Sequence, residues 1–210
     1  ALEAIDLPLF HRQLADLLAG KQVLTPRFDF VKGVRKDEDR WVPLRLEDHQ
    51  VLVLEGIHGL NDRLTEGVAR AQKYRIFISA LSQLAIDDHN RIFTSDTRLI
   101  RRIVRDSLFR GFSAERTLEM WEMVRQGEAR WIFPFQEQAD VMFNSALVYE
   151  PAVLKTYAER FLLQVPRTSP AYTEAYRLLK FIDTFVPIFP DEVPHTSILR
   201  EFIGGSTFNY

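Results

Sequence analysis

The sequence of 210 residues contains no cysteine, which excludes disulfide bonds, thiolate catalysis and zinc sites built on cysteine. It has no run of 18 consecutive apolar residues, so it encodes no transmembrane helix of the usual length. The first ten residues lack the basic region and the cleavage pattern of a signal peptide. We therefore expect a cytoplasmic protein without a membrane partner.

An excess of charge of one sign is also missing. The chain has 27 lysines and arginines against 29 aspartates and glutamates, a formal net charge of −2. Domains that bind nucleic acid usually carry a basic excess, so we expect no nucleic-acid partner. With 46% hydrophobic residues, the chain is long enough to bury a substantial core. Any local cluster of positive charge in such a chain favours a small anionic ligand over a long polyanion.

Several motifs of catalytic sites are absent from the sequence. The pattern GxxxxGK[ST], whose backbone amides cradle phosphates, occurs nowhere, and neither does the nucleophile pattern GxSxG. The metal-binding patterns HExxH and HxxxH are absent as well. The run "DDHN" at residues 87–90 is better explained by turn-forming residues than by metal ligands.

The pattern that is present alternates helices with strands. Helical spacing predicts helices in "DLPLFHRQLADLLAGK", at residues 97–111, and in "AERTLEMWEMVRQG", "EPAVLKTYAERFLLQV" and "TSPAYTEAYRLLKFIDTF". Apolar runs at residues 51–54, 74–80 and 139–147 predict strands buried on both faces of a parallel sheet. The segments "QVLTPRFDFVKG" and "RWVPLRLED" predict a hairpin around the polar turn "VRKDED". Strands alternating with helices indicate an α/β fold.

The segment "TRLIRRIVRDSLFRG" at residues 97–111 predicts an amphipathic helix with a stripe of arginines. At about 100° per residue, one arc of about 100° holds the four arginines Arg98, Arg101, Arg102 and Arg105. A guanidinium group can bind two phosphate oxygens at once, so the stripe is either a phosphate contact or a face that only meets solvent. Most charged helix faces are of the second kind. Like charges three or four residues apart destabilise a helix unless an anion relieves them. Because only Asp106 lies near them in this segment, the stripe favours contact with phosphate.

Two further groups of residues are candidates for a site. Glu55 follows the apolar run at residues 51–54, and parallel sheets bind ligands at the carboxyl ends of their strands. Glu55 therefore either holds Mg²⁺ or a water, or caps the next turn, and the pattern leaves both open. Phe28, Phe30 and Trp41 lie on the predicted hairpin, where they either stack on a base or form the apolar face of the hairpin.

Together these segments resemble the uridine kinase and phosphoribulokinase family of P-loop kinases. The motifs occur in the family's order from residue 1 to about 145: "ALEAID", "LLAGKQVLTPRFDF", "VLVLEGI", "SDTRLIRRIVRD" and "QADVMF". The resemblance implies a P-loop kinase-like parallel sheet with flanking helices, the N-terminal strand and P-loop missing, and a helical C-terminal extension. It implies a nucleoside kinase-like core at 1–148, with a substrate hairpin at 21–47 and lid helices at 95–127, and an extension at 149–210.

The resemblance also implies roles for single residues in a transfer of the γ-phosphate of ATP to the 5′-hydroxyl of a uridine-like ribonucleoside. Glu3 binds the ribose hydroxyls with the help of Arg98, and Phe28 and Phe30 flank the base. Glu55 lies near Mg²⁺, and three lid arginines act as catalytic residues on the ATP phosphates: Arg101, Arg102 and Arg105. Two positions depart from the family, since Phe28 replaces a tyrosine and Gly33 replaces a histidine near the base.

The family's P-loop and catalytic aspartate precede the first motif found here, so the resemblance implies an inactive fragment of a longer kinase. A different hypothesis is a non-catalytic kinase-like module for regulation or interaction, in which residues 149–210 serve docking or homo-oligomerisation. A third hypothesis is RNA binding through the arginine helix, which the net charge of −2 disfavours.

Overall fold

The structure, a computed structural model, describes residues 2–29, 33–85 and 87–208, which form a mixed α/β chain. Its α-helices are α1 (Leu7–Leu18), α2 (Thr94–Phe109), α3 (Ala114–Trp131), α4 (Glu150–Leu162), α5 (Tyr172–Asp183) and α6 (Arg200–Ile203). Its strands are β1 (Val23–Thr25), β2 (Phe28–Asp29), β3 (Val34–Arg35), β4 (Val42–Leu44), β5 (Ile76–Ser79) and β6 (Val141–Asn144). None of the helices described is long and apolar enough to cross a membrane.

The helices predicted from apolar spacing all form, and their ends follow the capping residues. The carboxylate of Asp6 accepts a hydrogen bond from the backbone amide three residues later, at the start of α1. The hydroxyl of Ser113 likewise accepts a hydrogen bond from the backbone amide three residues later, at the start of α3. Just beyond α1 and α2, Gly20 and Gly111 take left-handed φ angles of 73° and 70°, which end a helix at little steric cost.

The predicted pairing of the two extended segments near the N-terminus is confirmed. Strand β1 runs antiparallel to β4, with Val23 opposite Leu44, and β2 runs antiparallel to β3, with Phe28 opposite Arg35. The turn predicted at residues 34–39 is wrong, because Val34–Arg35 form β3, which pairs with β2. Gly33 just before β3 takes a left-handed φ of 68°, and its amide donates to the Asp29 carbonyl.

The predicted strands are borne out only in part. Strands β5 and β6 form one parallel pair: the Val141 amide donates to the Arg75 carbonyl and the Ser145 amide to the Ser79 carbonyl. Residues 51–54 form no strand, and none of their side chains is buried: Leu52 is half-buried and the other three are exposed. All residues of β6 are exposed as well. A strand is buried on both faces only when neighbouring strands and helices cover it, and the described residues give segment 51–54 no such neighbour.

The chain divides into two compact units. The first comprises Ala1–Ile76 and Gly127–Val141, and the second comprises Phe77–Gln126 and Met142–Tyr210. Within the second unit, α4 and α6 pack against α2, and the boundary predicted at residue 148 stays a prediction. The core of the second unit includes the whole predicted apolar face of α2: Leu99, Ile100, Ile103 and Val104.

Candidate functional site

The residues predicted to bind substrate and phosphate belong to both units. Glu3, Phe28 and Glu55 lie in the first unit, whereas the four arginines of α2 lie in the second. Phe30 lies outside the described residues. In the first unit, an ion pair of 3.0 Å between Asp6 and Arg35 joins the N-terminal segment to the strand that pairs with β2. The segment that carries Glu3 is therefore held beside the hairpin that carries Phe28.

Glu3 lies at the surface and has a partner within the first unit. Its carboxylate is 3.4 Å from the guanidinium of Arg63. A hydrogen bond within Glu3 itself and the nearby charge of Arg63 lower the pKa of this carboxyl. Glu3 therefore stays ionised at neutral pH and can accept hydrogen bonds from hydroxyl groups.

Arg101 is the most deeply buried of the arginines on α2. Its Nε donates to Glu150 Oε1 over 2.7 Å and its Nη2 donates to the Ser145 carbonyl over 2.8 Å. A second bond from Nη2 to Glu150 completes a two-pronged ion pair, and the two side chains are only 8% and 1% exposed. The Leu147 amide also donates to Glu150. The charge of Arg101 is thus fully compensated inside the second unit.

Two other arginines of α2 also contact carboxylates. Arg105 donates to Glu201 over 2.8 Å, and Arg102 donates to Asp106 over 3.2 Å. The expectation that only Asp106 lies near the stripe is therefore wrong, because Glu150 and Glu201 are brought to it by the fold. Glu150 lies 49 positions from Arg101, and Glu201 lies 96 positions from Arg105, so the local sequence gives no signal for either partner.

The first turn of α2 is tied to α5 by a further ion pair that the sequence did not indicate. Arg177 donates two hydrogen bonds to Asp96, of 2.7 and 2.8 Å, and also binds Glu174. The hydrogen bond from Arg177 lowers the pKa of Glu174. Hydrogen bonds from both carboxylates, Glu174 first, raise the pKa of Arg177. The pairing fixes the orientation of α2 within the second unit.

Glu55 is exposed and follows the unpaired segment 51–54. Among residues 2–29, 33–85 and 87–208, no group of three or more His, Asp or Glu side chains is arranged to hold a metal ion. Mg²⁺ often takes only one or two protein carboxylates and completes its shell with phosphate and water. A single exposed carboxylate such as Glu55 fits that mode of binding.

The run at residues 87–90 forms a turn, as its turn-forming residues favour. The carboxylate of Asp87 accepts hydrogen bonds of 2.8 Å from the amides of His89 and Asn90. A further bond from the Asn90 side chain, together with these two, lowers the pKa of Asp87. The carboxylate is therefore occupied by its own loop.

The fold is consistent with a P-loop kinase family, and comparison with known proteins agrees. The family model described as "Phosphoribulokinase / Uridine kinase family" matches residues 1–149. The chain belongs to this family, and the resemblance drawn from its motifs is confirmed. Residues 150–210 lie outside the match.

Proteins named uridine kinase from several bacteria are similar to this chain. The one from Deinococcus deserti is 28% identical over 151 residues, which are 71% of this chain and 63% of that protein. The one from Borrelia duttonii is 29% identical over 162 residues, 73% of this chain and 68% of that protein. The one from Streptococcus equi subsp. zooepidemicus is 30% identical over 140 residues, 66% and 58% respectively. The chain thus spans about two thirds or less of the length of these relatives.

Proposed function

We propose that this chain is part of an ATP-dependent kinase that transfers the γ-phosphate of ATP to the 5′-hydroxyl of a uridine-like ribonucleoside. The observation that carries the proposal is the family match over residues 1–149, which includes the motif "SDTRLIRRIVRD" on α2. The name uridine kinase on the similar bacterial proteins supports a pyrimidine nucleoside as the acceptor.

The nucleoside is bound in this proposal by Glu3, Arg98, Phe28 and Phe30. The exposed, ionised carboxylate of Glu3 supports its role on the ribose hydroxyls. Phe28 is 50% exposed, which leaves part of its ring accessible to a base. Aromatic rings of this kind stack on any base, so the acceptor's identity depends on further contacts.

The phosphates are bound by the arginines of α2 in this proposal. Phosphoryl transfer depends mainly on positioning and on neutralising the charge of the phosphates. Arg102 and Arg105 are 25% and 26% exposed, so a phosphate group can reach them and replace their carboxylate partners. Arg101 belongs to the same stripe in this proposal, and to bind phosphate it would have to exchange its partner Glu150 for the phosphate oxygens. Glu55 would hold Mg²⁺, which when bound neutralises charge between the phosphates.

The proposal assigns the phosphate-cradling P-loop to chain outside these 210 residues. The pattern GxxxxGK[ST] does not occur among them. Val51 and Val53 are 86% and 80% exposed, and their segment is apolar enough for a strand. A strand added beside segment 51–54 would pair its backbone, and a helix packed on the sheet would bury these side chains. The 210-residue chain alone is then expected to be inactive.

The test is to measure uridine phosphorylation from ATP by the product of the whole gene and by residues 1–210 separately. We expect turnover by the whole product only. Turnover by residues 1–210 would overturn the assignment of the P-loop to another segment. If the whole gene product shows no turnover and contains no GxxxxGK[ST], the kinase proposal is wrong. The non-catalytic kinase-like module is then the better hypothesis.

Substitutions on α2 test the phosphate-binding role within an active kinase. Arg102→Gln and Arg105→Gln should each lower kcat at least about tenfold while the KM for nucleoside changes less than about twofold. Arg167→Gln, an exposed arginine away from α2, is the matched control and should keep wild-type kinetics. Wild-type turnover in both α2 variants would contradict the role.

A further inference from the structure

Residues 190–207, which we call the C-terminal clasp, lie outside the family match and close on themselves. Arg200 is buried at the centre of the clasp and donates hydrogen bonds to the carbonyls of Pro190, Val193 and Gly204. The amide of Thr207 donates to the carbonyl of His195 over 3.1 Å. Because a buried guanidinium satisfies carbonyls from both ends of the segment, the clasp has one defined shape.

The clasp packs on the arginine-bearing face of α2. The ring of Phe202 lies under two guanidinium groups, with its centroid 5.0 Å from Arg101 Cζ and 5.4 Å from Arg105 Cζ. Beyond them, Gly204 approaches Phe109 so closely that a Cβ at residue 204 would lie 3.2 Å from the ring. These contacts are cation–π and packing interactions, and they fix where the two guanidinium groups point.

Glu201 has a different role from the buried residues beside it. Phe202 and Ile203 are buried and account for the packing of α6, whereas Glu201 is 38% exposed and contributes little to it. Its carboxylate instead accepts the 2.8 Å hydrogen bond from Arg105. A carboxylate offers a guanidinium the same pair of anionic oxygens that a phosphate offers.

We propose that Glu201 is an internal competitor of nucleotide phosphate for Arg105, and that the clasp positions the arginine face of α2. This proposal rests on the proposed function, because it gives Arg105 a phosphate to bind. In the exchange, Arg105 leaves Glu201 and binds phosphate oxygens, and no covalent bond changes. Glu201 is therefore a positioning residue that sets the concentration of ATP at which Arg105 engages it.

The first arm of the test needs no nucleotide and no activity. Hydrogen exchange of the α2 backbone is compared in the whole gene product, in Glu201→Gln and in Glu192→Gln. Glu192 is an exposed acid on the same clasp and gives the matched loss of charge. We expect the last turns of α2 to exchange at least about twice as fast in Glu201→Gln and unchanged in Glu192→Gln. Equal exchange in both variants would overturn the role of the Glu201–Arg105 contact in positioning α2.

The second arm measures the kinetics of the same three proteins. Without the competing carboxylate, the KM for ATP should fall about threefold in Glu201→Gln, while kcat and the KM for nucleoside stay within about twofold. A merely structural role would not lower the KM for one substrate alone. An unchanged or higher KM for ATP would overturn the competition. A wild type without turnover would refute the proposed function instead, and hydrogen exchange would still test the role of the Glu201–Arg105 contact in positioning α2.

Discussion

Helix α2 and the segment at residues 51–54 are both rich in apolar side chains, yet the structure places them in opposite surroundings. Ile103 and Val104 on α2 are completely buried, whereas Val51 and Val53 are 86% and 80% exposed. A helix bonds its own backbone and needs only one covered face. A strand needs a neighbour for its backbone before its side chains can be buried. The comparison teaches that a helix can bury its apolar face without a partner strand, whereas the described residues give segment 51–54 no strand to pair with.

The largest expected effect on the stability of the helical region is at the buried ion pair between Arg101 on α2 and Glu150. Glu150→Gln removes a carboxylate that is 1% exposed and leaves the charge of Arg101 uncompensated. We expect the free energy of unfolding to fall by about 4 kcal/mol, because an unpaired buried charge is costly. Urea unfolding followed by circular dichroism measures it. Glu159→Gln, on the exposed side of α4, should stay within about 0.5 kcal/mol of wild type. Equal stability of the two variants would show that Arg101 finds another partner.

Truncation of one aliphatic side chain in each region, Ile103 on α2 and Val53 in segment 51–54, should have unequal effects on stability. Ile103→Ala should lower the free energy of unfolding of residues 1–210 by about 3 kcal/mol, because it opens a cavity in the core of the second unit. Val53→Ala in the same chain should change it by less than about 0.5 kcal/mol, since Val53 is exposed. The same urea titration measures both. A loss at Val53 as large as that at Ile103 would mean that segment 51–54 is covered.

A smaller effect is expected in the first turn of α2, where the partner of the buried Asp96 is exposed. Asp96→Asn weakens the two hydrogen bonds from Arg177, which keeps Glu174 as a second partner and is 45% exposed. We expect a loss of about 1 kcal/mol by thermal unfolding, since solvent screens the pair. Asp183→Asn, whose contact with Lys155 spans 3.5 Å, is the control and should have no measurable effect. A loss near that of Glu150→Gln would show that the burial of Asp96, which is only 10% exposed, outweighs the exposure of Arg177.

Much of the helical region could be predicted from the sequence because its signals are local. Asp6, Ser113 and the glycines after α1 and α2 mark helix ends, and the period of Leu99 to Val104 marks the buried face. The fate of segment 51–54 could not be predicted, because burial of a strand depends on which strands are beside it. The partners of Arg101 and Arg105 could not be predicted either, because Glu150 and Glu201 lie 49 and 96 positions away in the sequence. The roles of Glu3, Phe28 and Glu55 stay predictions carried by family motifs.

The smallest effect is a pH dependence within the first unit, at His58. This imidazole is buried, and burial lowers its pKa. The centroids of the His58 and Trp131 rings lie 6.2 Å apart in a T-shaped arrangement. The folded state then holds His58 neutral, while the unfolded chain takes up the proton near the ordinary pKa of about 6.5. Stability is therefore fully present above that value and falls as the pH drops below it.

Removing the imidazole should remove this dependence. His58→Phe keeps an aromatic ring beside Trp131 and cannot be protonated, so the fall in the free energy of unfolding between pH 7 and pH 5.5 should be smaller than in wild type. His49→Asn replaces an exposed histidine with φ of 69°, a conformation that asparagine tolerates, and should keep the wild-type pH dependence. Urea titrations at the two pH values measure both. If His58→Phe and His49→Asn lose stability equally on acidification, the buried imidazole of His58 is not the group responsible for the pH dependence.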